Sequence, residues 1–135
     1  MKMKKQLLTS GLLLLAGLRL FSAEIDLSSP DKRIKVSVDV KEKISYAVNF
    51  NGEPFLSNSF LQLNLDQLKL GANAKLLKKT LSVVNTTSSP VVPLKNKTVN
   101  NHYNLLRLDF KGDFSIEFRA YNDGIAYRFI TNKKD

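Results

Sequence analysis

Four carboxylates, Asp109, Asp113, Glu117 and Asp123, fall within one 15-residue stretch of the chain. Paired carboxylates can open an acetal: one protonates the leaving oxygen while the other acts as base or nucleophile from the opposite side. The acid partner must sit where burial or a like charge raises its pKa. The sequence offers no such cue. Arg119 lies two positions after Glu117, and Arg128 stands in the following apolar run, so an ion pair is the ordinary reading of Glu117. Asp113 and Asp123 occupy turn-like contexts. No residue of this stretch is assigned a catalytic role.

His102 is the only histidine and there is no cysteine, so no His-based metal cluster, disulfide or thiol chemistry arises within one chain. No nucleophile motif, phosphate-binding glycine loop or zinc signature is present, and no metal ligand is assigned. Asn101, His102 and Tyr103 form the most polar-aromatic stretch, where a loop is expected to enter a strand. They either contact a ligand or tie the loop to the sheet through side-chain hydrogen bonds.

The elements that must position these residues read as strands. Ile34, Val36, Val38 and Val40 alternate with polar residues, as do Ile44, Tyr46, Val48 and Phe50, which is the period of half-buried strands. Lys41–Lys43 is expected to turn one into the next. Asn51-Gly52 is a second turn, because both residues tolerate positive φ. Leu61, Leu63 and Leu65 predict one further strand, and another is expected over 76–84. Residues 85–101 read as a polar loop in which Pro90 and Pro93 disfavour a central strand. The sequons at Asn85 and Asn96 read as chance in a Thr-rich segment. A strand over 103–110 precedes a closing hairpin, in which Asp123-Gly124 as a two-residue turn sets Ala120 opposite Tyr127, Phe118 opposite Phe129 and Arg119 opposite Arg128. Gly124 is then expected at positive φ, and the hairpin reads as scaffold. Tyr46, Phe50, Phe110, Phe118 and Phe129 fit core positions. The expected class is all-β, an antiparallel sandwich.

The first residues read differently. Met1 to Lys5 is basic, Leu7–Leu18 is apolar, and Ser22-Ala23 offers a small residue before a cut. This is the layout of a signal peptide over 1–23, with an uncleaved membrane anchor as the competing reading. Its removal takes Lys2, Lys4, Lys5 and Arg19 and lowers the formal net charge from +9 to +5. No basic stripe interleaved with aromatics remains, so nucleic acid is not an expected partner. Without cysteine there is no lipoprotein anchor, and a soluble exported protein, most simply periplasmic, is expected.

The stretches "SSPDKRIKVSVDV" and "ISYAVNFNGEPFL", then "NHYNLLRLDF" and "FSIEFRAYNDGIAYRF", resemble the N-terminal domain of glycoside hydrolase family 97 over residues 24–131. The resemblance implies an exported bacterial α-glucosidase or α-galactosidase that requires calcium. Such an enzyme has an N-terminal β-super-sandwich, a catalytic (β/α)8 barrel and a small C-terminal β-domain. It makes residues 24–135 a partial N-terminal sandwich, following a signal-peptide helix at 1–23. Its partners would be the downstream barrel and an α-linked oligosaccharide, with Asn101, His102 and Tyr103 as carbohydrate-contact candidates. The catalytic carboxylates and calcium ligands are expected downstream, so the chain alone is expected to be inactive, with no cofactor of its own. The competing class is a stand-alone exported β-sandwich for binding or adhesion.

Overall fold

The computed structural model describes residues 24–66, 68–89 and 98–131. The expected signal peptide, Pro90, Pro93 and Asn96 lie outside the described residues. All regular elements described are strands: β1 (Ile25–Ser28), β2 (Ile34–Val40), β3 (Ile44–Phe50), β4 (Glu53–Leu61), β5 (Leu63–Leu65), β6 (Leu68–Leu70), β7 (Leu76–Ser88), β8 (Val99–Phe110), β9 (Phe114–Ala120) and β10 (Ile125–Thr131). They form two four-stranded sheets, ordered β1-β2-β3-β4 and β10-β9-β8-β7, with β5 and β6 as a separate pair. Every pairing is antiparallel. This is the sandwich the alternation predicts.

The registers explain the core. Val36 pairs with Val48 and Val38 with Tyr46, so one face of β2–β3 is apolar. On the second sheet Leu106 pairs with Phe118, Leu108 with Ile116 and Phe110 with Phe114. These two faces meet: Val36, Val38, Ile44, Leu106, Leu108, Ile116 and Phe118 are fully enclosed. The Tyr46 ring centroid lies 5.8 Å from that of Phe118 and 5.7 Å from that of Tyr127, which carries the contact between sheets. Burying each large aliphatic or aromatic side chain here contributes roughly 1.5–3 kcal/mol.

The turns follow their chemistry where it is local. Phe50 pairs with Glu53 across Asn51-Gly52, whose φ angles are 52° and 86°, as a two-residue hairpin turn of this type requires. Pro54 is tolerated because β4 is an edge strand. The strand expected through Leu61, Leu63 and Leu65 is instead broken at Gln62. Leu61 ends β4 opposite Ile44, whereas Leu63–Leu65 pairs with β6. The break has a cause: the Ile44 amide donates to the Gly71 carbonyl at 3.4 Å and the Asn73 amide to Glu42 at 2.7 Å. The returning chain thereby takes the place beside β3 that a longer β4 would need.

Two further expectations need correction. Residues 85–101 are not one loop: β7 runs to Ser88, β8 starts at Val99, and Ser88 pairs with Val99. β9 pairs with β8 only from Asn104 onward, so the distal part of the β7–β8 hairpin projects as a two-stranded ribbon. The closing hairpin also has a different register. Ile125 pairs with Ala120, Tyr127 with Phe118 and Arg128 with Glu117. Tyr121–Gly124 is therefore a four-residue loop, closed by the Tyr121 amide donating to the Gly124 carbonyl at 2.8 Å. Among the described residues the glycines at positive φ are Gly52, Gly71 and Gly112, and Gly124 is not one of them.

A polar clip joins the two sheets at one end. The Ser29 hydroxyl, 1% exposed at the residue level, donates to Asp31 Oδ1 at 2.6 Å and accepts from the Ile34 amide at 3.0 Å. The Asp31 amide donates to Asn122 Oδ1 at 3.0 Å, tying the β1–β2 turn to the β9–β10 loop. Bonds from Ser29 and Arg33 hold the Asp31 carboxyl down at about 2.

Candidate functional site

The outer face of β8–β9–β10 gathers the charged residues. Strand alternation fixes this: with Leu106, Leu108, Phe118 and Ile116 turned inward, Arg107, Asp109, Ser115, Glu117, Arg119 and Arg128 share the opposite face. Glu117 is 6% exposed at its centre. Its Oε1 accepts from Arg107 Nη1 at 3.2 Å, and its Oε2 accepts from Arg128 Nε at 2.8 Å. Arg119 Nη2 stands farther off, 3.8 Å from Oε2. Asp109 accepts from Arg107 Nε at 2.8 Å and from the Ser115 hydroxyl at 2.7 Å. These bonds, Ser115 first, lower the Asp109 pKa, and the Asp109 bond raises that of Arg107.

Both carboxylates thus accept from arginines. A catalytic acid must be held protonated near neutrality, whereas Asp109 is pushed the other way by Ser115 and Arg107. Asp113 and Asp123 are exposed, in the β8–β9 turn and the β9–β10 loop respectively, as their contexts predicted. Among the described residues no group of three or more His, Cys, Asp or Glu is placed to hold a metal ion.

The three ligand-contact candidates are adjacent on β8 but do not share one surface. Alternation puts Asn101 and Tyr103 on the outer face and His102 on the other. Asn101 and His102 pair with Thr86 and Asn85 in the projecting ribbon, and His102 is exposed. Tyr103 is 8% exposed, with its ring centroid 4.8 Å from that of Tyr121 and the Arg119 guanidinium carbon 5.0 Å from its own centroid. Phe50, expected in the core, is 41% exposed because it ends β3 at the flank of the sandwich. There it joins Phe55, Leu56, Ile125 and Arg33 around an open groove of about 460 Å³. Arg107 and the Ser29–Asp31–Asn122 clip were not singled out from sequence. Arg107 is legible in retrospect: its flanks Leu106 and Leu108 face inward, and the turn at Gly112 brings Glu117 opposite it.

The fold and this network define an antiparallel β-sandwich domain whose central charges are bound in pairs. The family described as Glycosyl-hydrolase 97 N-terminal matches residues 27–135. The chain belongs to that family. It is 39% identical over 113 residues to a retaining alpha-galactosidase of Bacteroides thetaiotaomicron, covering 82% of this chain but 17% of the relative's length. Among solved structures it is similar to a glycoside hydrolase family 97 enzyme from Pseudoalteromonas sp. strain K8 in complex with panose, with a TM-score of 0.71 and 23% identity. A beta-arabinopyranosidase gives 0.73 and 22%. The chain covers 18% of each of these two enzymes, and at such identities the likeness is one of fold.

Proposed function

We propose that the chain serves as the N-terminal sandwich of an exported α-glycosidase, packing on a (β/α)8 catalytic barrel supplied by further polypeptide. The observation that carries this reading is the match to a retaining alpha-galactosidase, of which the chain spans only 17%. The ion network supports the division of labour, because Asp109 and Glu117 are committed to arginines and leave acid–base chemistry to another domain. In this reading the substrate is an α-linked oligosaccharide. Asn101 and His102 contact it from the projecting ribbon, with Tyr103 at the ribbon's base. Calcium belongs to the full-length enzyme. The described carboxylates do not gather into a metal site, so no step is assigned to a metal on this chain. Residues 1–23 act as a cleaved signal peptide and deliver residues 24–135 to the periplasm of a Gram-negative bacterium, leaving no stable membrane anchor.

A domain exchange tests the proposal. Residues 27–135 replace the matched segment of the Bacteroides enzyme, and hydrolysis of an aryl α-galactoside is measured. Retained turnover is the expected result. A chimera that folds, as judged by its melting transition, yet turns over no substrate would overturn the assignment.

A further inference from the structure

The turn at Asn51-Gly52 is also a pair of residues able to react with each other. The carboxamide carbon of an asparagine and the nitrogen of the following residue can close a five-membered ring, an attack favoured by proximity. A side chain on the following residue crowds that attack, and glycine has none. Both residues are exposed. A β-carbon built on Gly52 would meet nothing within 4 Å, so no neighbouring atom stands in the way on that side.

Other asparagines lack one of these conditions. Asn58 and Asn73 also have positive φ, 36° and 48°, but Ser59 and Ala74 follow them. The Asn122 carboxamide accepts from the Asp31 amide at 3.0 Å, and that of Asn104 donates to the Ser28 carbonyl at 2.8 Å. Asn51 is held through its main chain, its amide donating to the Arg33 carbonyl at 2.8 Å. No hydrogen bond fixes its carboxamide among the described residues. Ring closure must rotate the Asn51–Gly52 peptide out of the turn, and that opening is local. Among the described residues β4 is an edge strand, and its pairing with β3 is interrupted by register shifts between Tyr46 and Val48 and between Val48 and Asn49. Segments of this kind open at far less cost than the whole fold.

We propose that Asn51 is a site of self-modification that needs no enzyme. The Gly52 amide yields its proton to base as its nitrogen bonds Asn51 Cγ. The Cγ–Nδ2 bond breaks, and ammonia leaves with a proton from solvent. Water then opens the cyclic imide. Breaking the bond from nitrogen to Cγ gives aspartate, whereas breaking the bond from nitrogen to the main-chain carbonyl carbon gives isoaspartate. Either product adds a negative charge. Isoaspartate also lengthens the main chain by a methylene between Phe50 and Glu53, whose pairing requires a two-residue turn. It thereby releases the hairpin end whose Phe50 and Phe55 line the open groove.

The purified whole chain is incubated at mildly alkaline and mildly acid pH. Samples from the start and from later times are digested and mapped by mass spectrometry, with fragmentation that distinguishes isoaspartate. Asn51 should convert to both products, faster at alkaline pH because the attacking nitrogen must shed its proton. Asn58 and Asn73 should convert at least about tenfold more slowly. Equal conversion of either, or an intact Asn51, would overturn the site, and aspartate without isoaspartate would overturn the cyclic route. Hydrogen exchange then tests the consequence. Asn51→Asp supplies the charge on an unaltered main chain and should keep β3–β4 amide exchange at the parent rate. The isoaspartate form, separated by chromatography, should exchange those amides at least about tenfold faster. Equal exchange in the two forms would overturn the release of the hairpin end.

Discussion

Arg128 stands directly opposite Glu117 across β9–β10, with Nη2 2.7 Å from Oε2. The pair is asymmetric, since the arginine side chain is 58% exposed and the carboxylate side chain 7%. Losing one of its arginines leaves Glu117 still paired with Arg107. Losing the carboxylate leaves three guanidinium groups together. Arg128→Ala should therefore cost about 1 kcal/mol and Glu117→Ala about 2–3 kcal/mol, read as shifts of the urea midpoint at constant slope. Equal costs would contradict the central position of Glu117.

Gly71 and Gly124 should respond in opposite ways. Gly71 lies at φ +96°, and a β-carbon there would stand 2.5 Å from the Leu61 carbonyl oxygen. Gly71→Ala is expected to destabilise by about 2–4 kcal/mol. Gly124 lies outside the left-handed region, and a β-carbon there meets nothing within 4 Å. Gly124→Ala should stay within about 0.5 kcal/mol of the parent. Thermal melts of the two variants decide between this loop and a two-residue turn at Asp123-Gly124.

Acid should loosen the clip that joins the two sheets, by releasing Ser29 and Arg33 from the Asp31 carboxylate. Asp31 sits at about 2 in the folded chain, below the roughly 3.9 of an unfolded aspartate. Its contribution is thus complete above about pH 4 and is lost as pH falls toward about 2. Asp26 and Asp109 are lowered too and act in the same direction. Asp31→Asn should lower the melting temperature at neutral pH and flatten the acid limb of the melting profile. An unaltered limb would remove Asp31 from the account.

The purified chain should hydrolyse neither aryl α-galactosides nor aryl α-glucosides, with or without calcium. Its central carboxylates are committed to arginines, and the remaining two described above lie exposed in turns. Turnover that disappeared on replacing Asp113 or Asp123 would contradict this.

Exposed apolar groups at the two flanks should drive self-association. Leu81 and Val83 share the inner face of the second sheet with Leu106, yet are 55% and 69% exposed. On β4, Phe55 and Phe60 are 80% and 65% exposed. Large uncovered patches and unpaired strand edges favour association. Sedimentation should show oligomers whose dissociation is promoted by Phe55→Ser with Val83→Thr. A monomer that melts cooperatively at high concentration would show that these flanks are harmless.

Strands whose burial alternates were legible from sequence, because side-chain polarity reports that alternation directly. Val36, Val38, Ile44 and Val48 are examples, and Asn51-Gly52 announced its own geometry. The distal ribbon was not legible. Asn85–Ser88 and Val99–His102 are largely exposed on both faces, so no apolar period marks them. The closing hairpin failed for a non-local reason. Its loop is held by Asn122 bonding Asp31, 91 residues away, which no local turn rule can register. Of the charged network, Glu117 with its flanking arginines was visible as a motif. The choice of partner was not, because a two-residue change in register exchanges Arg119 for Glu117 opposite Arg128.

The Ser29–Asp31–Asn122 clip also orders events in time. It joins the first hairpin to the last loop across most of the described chain, so it can close only after nearly every strand has been laid down. Contacts this distant in sequence slow the search for the native pairing. Closing a loop of that length costs entropy that only the finished sheets offset. A chain emerging N-terminus first carries β1 and β2 as an unlatched hairpin until Asn122 arrives. The clip is therefore a completion mark, and its formation should report the end of folding rather than its nucleus.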